Sequence, residues 1–266
     1  MSVLPGRTLR LIQAIYLLLA AMAAGALNAV AGGGSFISFP VLLFTGVPPV
    51  QANATNTVAL WTGLATSSRT FFHRLNVPRR LLVPLLVASI VGGFAGGLLL
   101  VKTPQRTFLY LIPWLLLAST VLFLVGPQLR ALAGKSTDED LAHISWGVLG
   151  GVVVVEFVVG VYGGYFGAGI GFITLAMMAV LGMRDIHSMN ALRTLLATVI
   201  NAAAVVTFVV LRAVYWRQCL VMIVGALVGG WLGAHLTQRA NPHTVRIFII
   251  ALGFAMSVYF FVDVYR

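Results

Sequence analysis

The sequence predicts an all-α polytopic membrane protein made of two repeated halves, each with about four spanning helices plus one short re-entrant or broken half-helix. Three observations carry this expectation. Of 266 residues, 60% are hydrophobic and 9% charged, with a mean hydropathy of +1.00. A soluble domain of this size carries about 25% charged residues, so too little polar side chain is present to cover a water-facing globule. Apolar segments recur along the whole chain, and their order repeats. The composition excludes a soluble enzyme, a disulfide-built secreted domain and a disordered chain. The single cysteine, Cys219, excludes an intramolecular disulfide.

The first segment, 11–31, follows Arg7 and Arg10 and ends in Ala29-Val30-Ala31, an imitation of a signal peptide with its cleavage site. Its length and the equally apolar segments behind it make it a retained first helix. Segments at 36–44, 50–72, 81–101 and 107–125 follow. A polar stretch, 127–143, then holds Lys135 and the acidic cluster Asp138, Glu139 and Asp140. Apolar segments resume at 144–166, 172–181, 186–211, 220–236 and 245–262, again in the order long, short, long, long, long. The expected organisation is a first transmembrane repeat over 1–126, a cytoplasmic linker over 127–143 and a second repeat over 144–266.

The repetition reaches single residues. Gly25-Ala-Leu-Asn-Ala-Val-Ala-Gly-Gly-Gly-Ser-Phe36 runs beside Gly160-Val-Tyr-Gly-Gly-Tyr-Phe-Gly-Ala-Gly-Ile-Gly-Phe172 with one insertion. Asn53-Ala54 matches Asn190-Ala191, and Val91-Gly-Gly-Phe-Ala-Gly-Gly97 matches Val224-Gly-Ala-Leu-Val-Gly-Gly230. Three blocks in one order indicate internal duplication, a plan common among secondary transporters. The short segments 36–44 and 172–181 reach roughly 15 Å as helix, half of a hydrocarbon core of about 30 Å. Short, Gly-interrupted segments at corresponding places in two halves point to a transport site.

A net charge of +11 suggests nucleic acid in a soluble protein; here the basic residues lie between apolar segments and set topology, and no nucleic-acid partner is expected. With four crossings per half, Arg7, Arg10, Arg69, Arg74, Arg79, Arg80, Arg130, Lys135, Arg212, Arg217 and Arg266 share one side, eleven against the four of Lys102, Arg106, Arg239 and Arg246. Both termini are then cytoplasmic and the halves parallel. Five crossings per half, with inverted repeats, is the rival; it puts Arg74–Arg80 and Arg212–Arg217 on opposite faces and weakens the asymmetry.

Two glycine-rich stretches are the leading site candidates: Gly32, Gly33, Gly34 and Ser35, and Gly167, Gly169 and Gly171. Glycine admits close backbone approach, and a half-helix starting there offers free N–H groups and partial positive charge to an anion. The competing explanation, small residues for helix packing, is assigned to Gly92, Gly93, Gly96, Gly97, Gly225, Gly229, Gly230 and Gly233. Arg193 lies about two turns into segment 186–211, where an arginine costs roughly 2.5–3.5 kcal/mol on the insertion scale and so has a partner or a task. An oxyanion suits its fork; pairing with Glu156 or snorkelling are the alternatives. Asn53, Asn56 and Asn190 add neutral hydrogen-bonding groups. Glu156, the one acid well inside a segment, is the proton-coupling candidate, with an orienting hydrogen bond as the plain alternative. Asn28, Asn201, Trp61 and Tyr162 are lesser candidates.

The five histidines are scattered without metal-ligand spacing, and no zinc, Gly-x-Ser-x-Gly or Walker motif occurs. Neither an enzyme nor a metal or other cofactor is expected.

The stretch Asn28-Ala-Val-Ala-Gly-Gly-Gly-Ser-Phe-Ile-Ser-Phe-Pro40, with Gly46-Val-Pro-Pro and Asn53-Ala-Thr-Asn-Thr57, resembles the first repeat of the TauE/SafE (TSUP) family. Gly163-Gly-Tyr-Phe-Gly-Ala-Gly-Ile-Gly-Phe172 with Asn190-Ala-Leu-Arg193 resembles the second. The resemblance covers about residues 10–262. It implies an inner-membrane permease for sulfur-containing anions such as sulfite, sulfoacetate or other sulfonates and related organic acids, exporting sulfite or moving organosulfonates, with a proton or ion as coupling partner. The expected mechanism is alternating access at a midplane anion site between the repeats; a passive anion channel and an uptake permease for other organic acids are the alternatives. The first half lacks an Arg matching Arg193, so that role is assigned to Arg193 alone.

Overall fold

The computed structural model describes residues 10–30, 33–71, 75–131, 144–183, 185–236 and 242–266. Its elements are α1 (Leu11–Val30), α2 (Ser35–Phe44), α3 (Pro49–Phe71), α4 (Arg79–Lys102), α5 (Gln105–Ala131), α6 (Trp146–Tyr165), α7 (Ile170–Val180), α8 (Ile186–Val210), α9 (Trp216–Leu236) and α10 (Pro242–Tyr265). Each expected apolar segment is one helix, and the two short ones, α2 and α7, have 10 and 11 residues. The described residues contain no strand. Among the described residues six helices (α1, α4, α5, α6, α8 and α10) are long and apolar enough to cross a membrane. The protein is a polytopic, all-helical membrane protein.

Helix α3 departs from that pattern because it is polar and central. Every residue from 52 to 60 is buried, among them Asn53, Thr55, Asn56 and Thr57. Polar groups survive there because each finds a partner: Thr57 Oγ1 donates to Asn53 O at 2.9 Å, and Thr55 Oγ1 accepts from Tyr215 N at 3.0 Å. Outward-facing side chains are apolar, as a lipid-facing surface requires; Val154, Val158, Val210 and Trp231 are all exposed.

Contacts along the helices fix their directions. Gln13 near the start of α1 donates to Thr45 O just past α2, while Asn28 near the end of α1 accepts from Gly33 and Gly34 just before it. Helix α2 therefore runs back along α1. Helices α3 and α8 are antiparallel, for Thr55 meets Tyr215, Trp61 meets Thr198 and Asn76 meets Ser188. Helices α5 and α10 are antiparallel too, Trp114 meeting Tyr265 and Phe123 meeting Arg246. By contrast α1 packs along α9, and α4 along α6, with matching direction.

These directions correct the expected side count. The short helices are where the sequence placed them, but each runs from one level of the bundle to another, opposite to its neighbours. Direction thus alternates through all ten helices. Helix α5 ends at the opposite end from the one where α1 begins and α10 finishes. Arg79 and Arg80 stand at one end of the bundle and Arg212 and Arg217 at the other. The basic excess no longer gathers at one face, because that count treated α2 and α7 as turning back without changing sides.

Glycines draw the interlocking pairs together. A β-carbon on Gly92 would come within 2.6 Å of Phe157 O, and one on Gly93 within 2.5 Å of Ile200 O. One on Gly96 would strike Val161 O; one on Gly229, Met22 O; and one on Gly225 would come within 2.6 Å of Leu18 O. Helix α4 is clasped between α6 and α8 through alternate glycines. This is the small-residue packing by which membrane helices approach, and it is the role expected of these glycines.

Candidate functional site

The α2 approach is closed by its own side chains. Gly33 has φ +136, a conformation that L side chains rarely adopt. Its N–H and that of Gly34 donate to Asn28 Oδ1 at 2.9 and 2.8 Å. Inside the first turn, Ser38 Oγ donates to Asn56 Oδ1 at 2.5 Å, and Asn56 Nδ2 donates to Ser35 Oγ at 3.2 Å. Asn53 Nδ2 donates to Tyr165 O at 2.9 Å, tying α3 to the end of α6. The polar groups expected to face a ligand in this half are therefore engaged with one another, with Asn28 or with Tyr165 O. Gly32 lies outside the described residues.

The α7 approach is built differently. Gly167 and Gly169 each have φ +82, which turns the chain sharply between α6 and α7. The carbonyl of Ala168 accepts from Tyr162 OH at 3.0 Å and Ser119 Oγ at 3.2 Å, and those hydroxyls lie 2.7 Å apart. The turn is strapped to α5 through its carbonyl, while Gly167 N donates to Tyr162 O at 3.3 Å and Phe172 N to Gly169 O at 3.1 Å. Among the described residues no side-chain oxygen accepts from a backbone N–H between 167 and 172, the groups that carry partial positive charge at a helix N-terminus.

Arg193 reaches this turn from α8. A β-carbon on Gly171 would lie 3.2 Å from Arg193 Cδ and 3.4 Å from Nη1, so the side chain crosses the bare α-carbon of the first turn of α7. Arg193 is half-buried and makes no hydrogen bond or ion pair among the described residues. The expected alternative partner is engaged elsewhere: Glu156 Oε1 accepts from Ser89 Oγ at 2.6 Å on the α4–α6 seam. Asn190, one turn before Arg193, is half-buried, and its carbonyl accepts from Thr194 Oγ1 at 2.7 Å.

In the aligned blocks Ser35 corresponds to Gly171 and Asn56 to Arg193. The Asn56–Ser35 contact on α2 thus has its counterpart in the Arg193–Gly171 contact on α7. The pair of phenylalanines one residue on, Phe36 and Phe172, meet the same ring: Phe123 of α5 lies 5.6 Å from Phe36 and 4.4 Å from Phe172. The two short-helix approaches therefore converge on α5, one saturated with hydrogen bonds and one holding an uncompensated guanidinium.

Sequence reading missed Ser38, Ser119 and Phe123. The Ser119-Thr120 pair inside an apolar run was the available signal. Of the lesser candidates, Trp61 Nε1 donates to Thr198 O at 3.1 Å and Asn201 Nδ2 to Ala197 O at 2.8 Å, which are structural bonds between or within helices.

The family model described as sulfite exporter TauE/SafE matches residues 17–260. A probable membrane transporter protein of Haemophilus influenzae is 30% identical over 232 residues, covering 87% of this chain and 88% of that protein. A "probable membrane transporter protein ORF9" of a Sinorhizobium species is 25% identical over 93% of this chain and 92% of its own length. The Escherichia coli K12 "probable membrane transporter protein YfcA" is 27% identical over 89% and 85%. No solved structure matches the chain. With nearly its whole length matched and its helices those of a multi-pass membrane protein, this chain belongs to the sulfite exporter TauE/SafE family of membrane transporters.

Proposed function

We propose that the protein is a secondary carrier of small sulfur-containing anions, sulfite or organosulfonates, in the inner membrane. The observation that carries this reading is Arg193, half-buried and without a partner among the described residues, lying across the first turn of α7. A lone guanidinium beside a positive helix end is an unfavourable arrangement until an anion joins it. An oxyanion accepts two parallel bonds from Arg and further bonds from backbone N–H groups. Gly171 and Asn190 complete the lining, and Gly167 and Gly169 shape the turn. The α2 side, with Gly33, Gly34, Ser35, Asn53 and Asn56, serves as the opposing wall of neutral groups.

In this reading helices α1–α5 and α6–α10 are the two repeats, and alternating access moves them against each other around the site. Purified protein in proteoliposomes, loaded with unlabelled sulfite and offered labelled sulfite outside, tests the proposal. Counterflow is expected, with Arg193→Ala reducing it at least tenfold. Undiminished flux in Arg193→Ala removes that residue from the site. Conductance in planar bilayers far above carrier turnover would mark a channel instead.

A further inference from the structure

Glu156 lies on α6 at the seam with α4 and is fully buried, 0% exposed. Ser89 Oγ holds one carboxyl oxygen at 2.6 Å, and the other oxygen, Oε2, has no hydrogen-bond partner among the described residues. Among the described residues no cation compensates it. Helix α4 carries Arg79, Arg80 and Lys102 only at its ends, and Arg80 stacks on Trp146, 4.4 Å from its ring. Helix α7 has no titratable side chain; α8 contributes His187 at its first turn and Arg193, which faces α7. On α6 itself Tyr162 and Tyr165 lie beyond, Tyr162 bonded to Ser119 and Ala168. A buried carboxylate without a counter-charge costs several kcal/mol, whereas the acid form needs one acceptor and suffers no such penalty.

The seam around it is suited to movement. Gly92 and Gly160 bring the two backbones together one turn away, with no interlocking side chain between them. Pro84, inside α4, removes one backbone bond of the turn preceding Ser89. An apolar groove of about 520 Å³, lined by Val83, Val87, Val154 and Phe157 among others, opens beside Ala88 on the outer face.

We propose that Glu156 and Ser89 form a proton-binding site whose loading accompanies separation of α4 from α6. The proton passes from hydronium to the carboxylate, leaving water, when the seam opens toward one side; the reverse transfer to water occurs on the other. The inference rests on the carrier reading above, because the proton is coupled there to anion movement.

Two measurements on the full-length protein separate the claims. The hydrophobic carbodiimide DCCD reaches carboxylic acids from the lipid phase. It is expected to modify Glu156, detected by peptide mass spectrometry, with labelling falling at alkaline pH and absent in Glu156→Gln. No adduct at Glu156 at any pH overturns the proposal, whether or not the protein moves sulfur anions. In proteoliposomes, methanesulfonate stays ionised across the neutral range, so a pH gradient acts only through the protein. Glu156→Gln is expected to keep counterflow within about twofold while pH-driven accumulation falls at least tenfold. Accumulation equal to wild type overturns the coupling role. Ser89→Ala, which keeps the acid and removes its bond, is expected to accumulate anion with a displaced pH midpoint; an unchanged midpoint overturns the part assigned to Ser89. Labelled Glu156 without any anion flux in wild type sinks the carrier reading and leaves the proton site standing.

Discussion

Arg193 lies across the bare α-carbon of Gly171, so that a β-carbon there would sit 3.2 Å from Arg193 Cδ. The contact joins the one uncompensated cation of the described interior to the start of the short helix α7. A methyl group would displace the guanidinium by a few tenths of an ångström without touching backbone. Gly171→Ala is therefore expected to fold normally and raise KM for the anion about three- to tenfold, which corresponds to roughly 0.7–1.4 kcal/mol. Arg193→Lys keeps the charge but loses the fork, and is expected to cost more than tenfold. Initial-rate uptake in proteoliposomes measures both; wild-type KM in Gly171→Ala means that the Arg193 position does not matter.

Asn28 closes the α2 approach by taking two N–H groups with one oxygen. Asn28→Ala strands both donors and is expected to destabilise the protein by about 0.5–2 kcal/mol, the scale of a lost cap. Asn28→Asp keeps the acceptor and should retain most of that stability. Thermal unfolding in detergent compares the three proteins.

The α4–α6 seam makes two glycines on neighbouring helices behave oppositely. Gly96→Ala drives a methyl into Val161 O, so the helices must part, at a cost of about 1–3 kcal/mol. Gly150→Ala on α6 meets nothing within 4 Å and should be neutral or stabilising by up to about 1 kcal/mol. Equal melting temperatures for the two variants would contradict the packing described.

Alternating helix directions predict which positions share a side. Cysteines replacing Pro104 and Arg266, in a Cys219→Ser background, are expected to react with an impermeant maleimide from the same side of the membrane. A cysteine at Ile144 is expected to react from the opposite side. Labelling of Ile144 from the side of Arg266, with Pro104 reacting from the opposite side, would restore four crossings per half.

Much of the architecture was legible because it is local. The ten apolar segments became ten helices, and the brevity of α2 and α7 was visible from residues 36–44 and 172–181. Gly92, Gly93, Gly96, Gly97, Gly225 and Gly229 were assigned to packing, and they pack. The side count was not legible. Hydropathy gives a segment's length but not whether a ten-residue helix turns back or continues, and the charge count inherited that ambiguity. At the site, Arg193 and Asn56 stood in matching places, yet nothing in their spacing told that Ser35 and Ser38 saturate the second and that nothing described pairs with the first.

The sequence by itself determined that this is a membrane protein of ten helical segments in two similar series, with rare ionisable residues at 156 and 193. Those properties follow from transfer energies and helical rise, which each segment carries with it. Only the tertiary structure decided that Glu156 bonds Ser89 rather than Arg193, and that the first glycine-rich turn is sealed by Asn28 while the second meets a bare guanidinium. Hydrogen-bond satisfaction depends on which groups distant segments bring within 3 Å or so, and helix direction depends on which faces bury each other. Both are relations between segments, fixed only when the bundle closes.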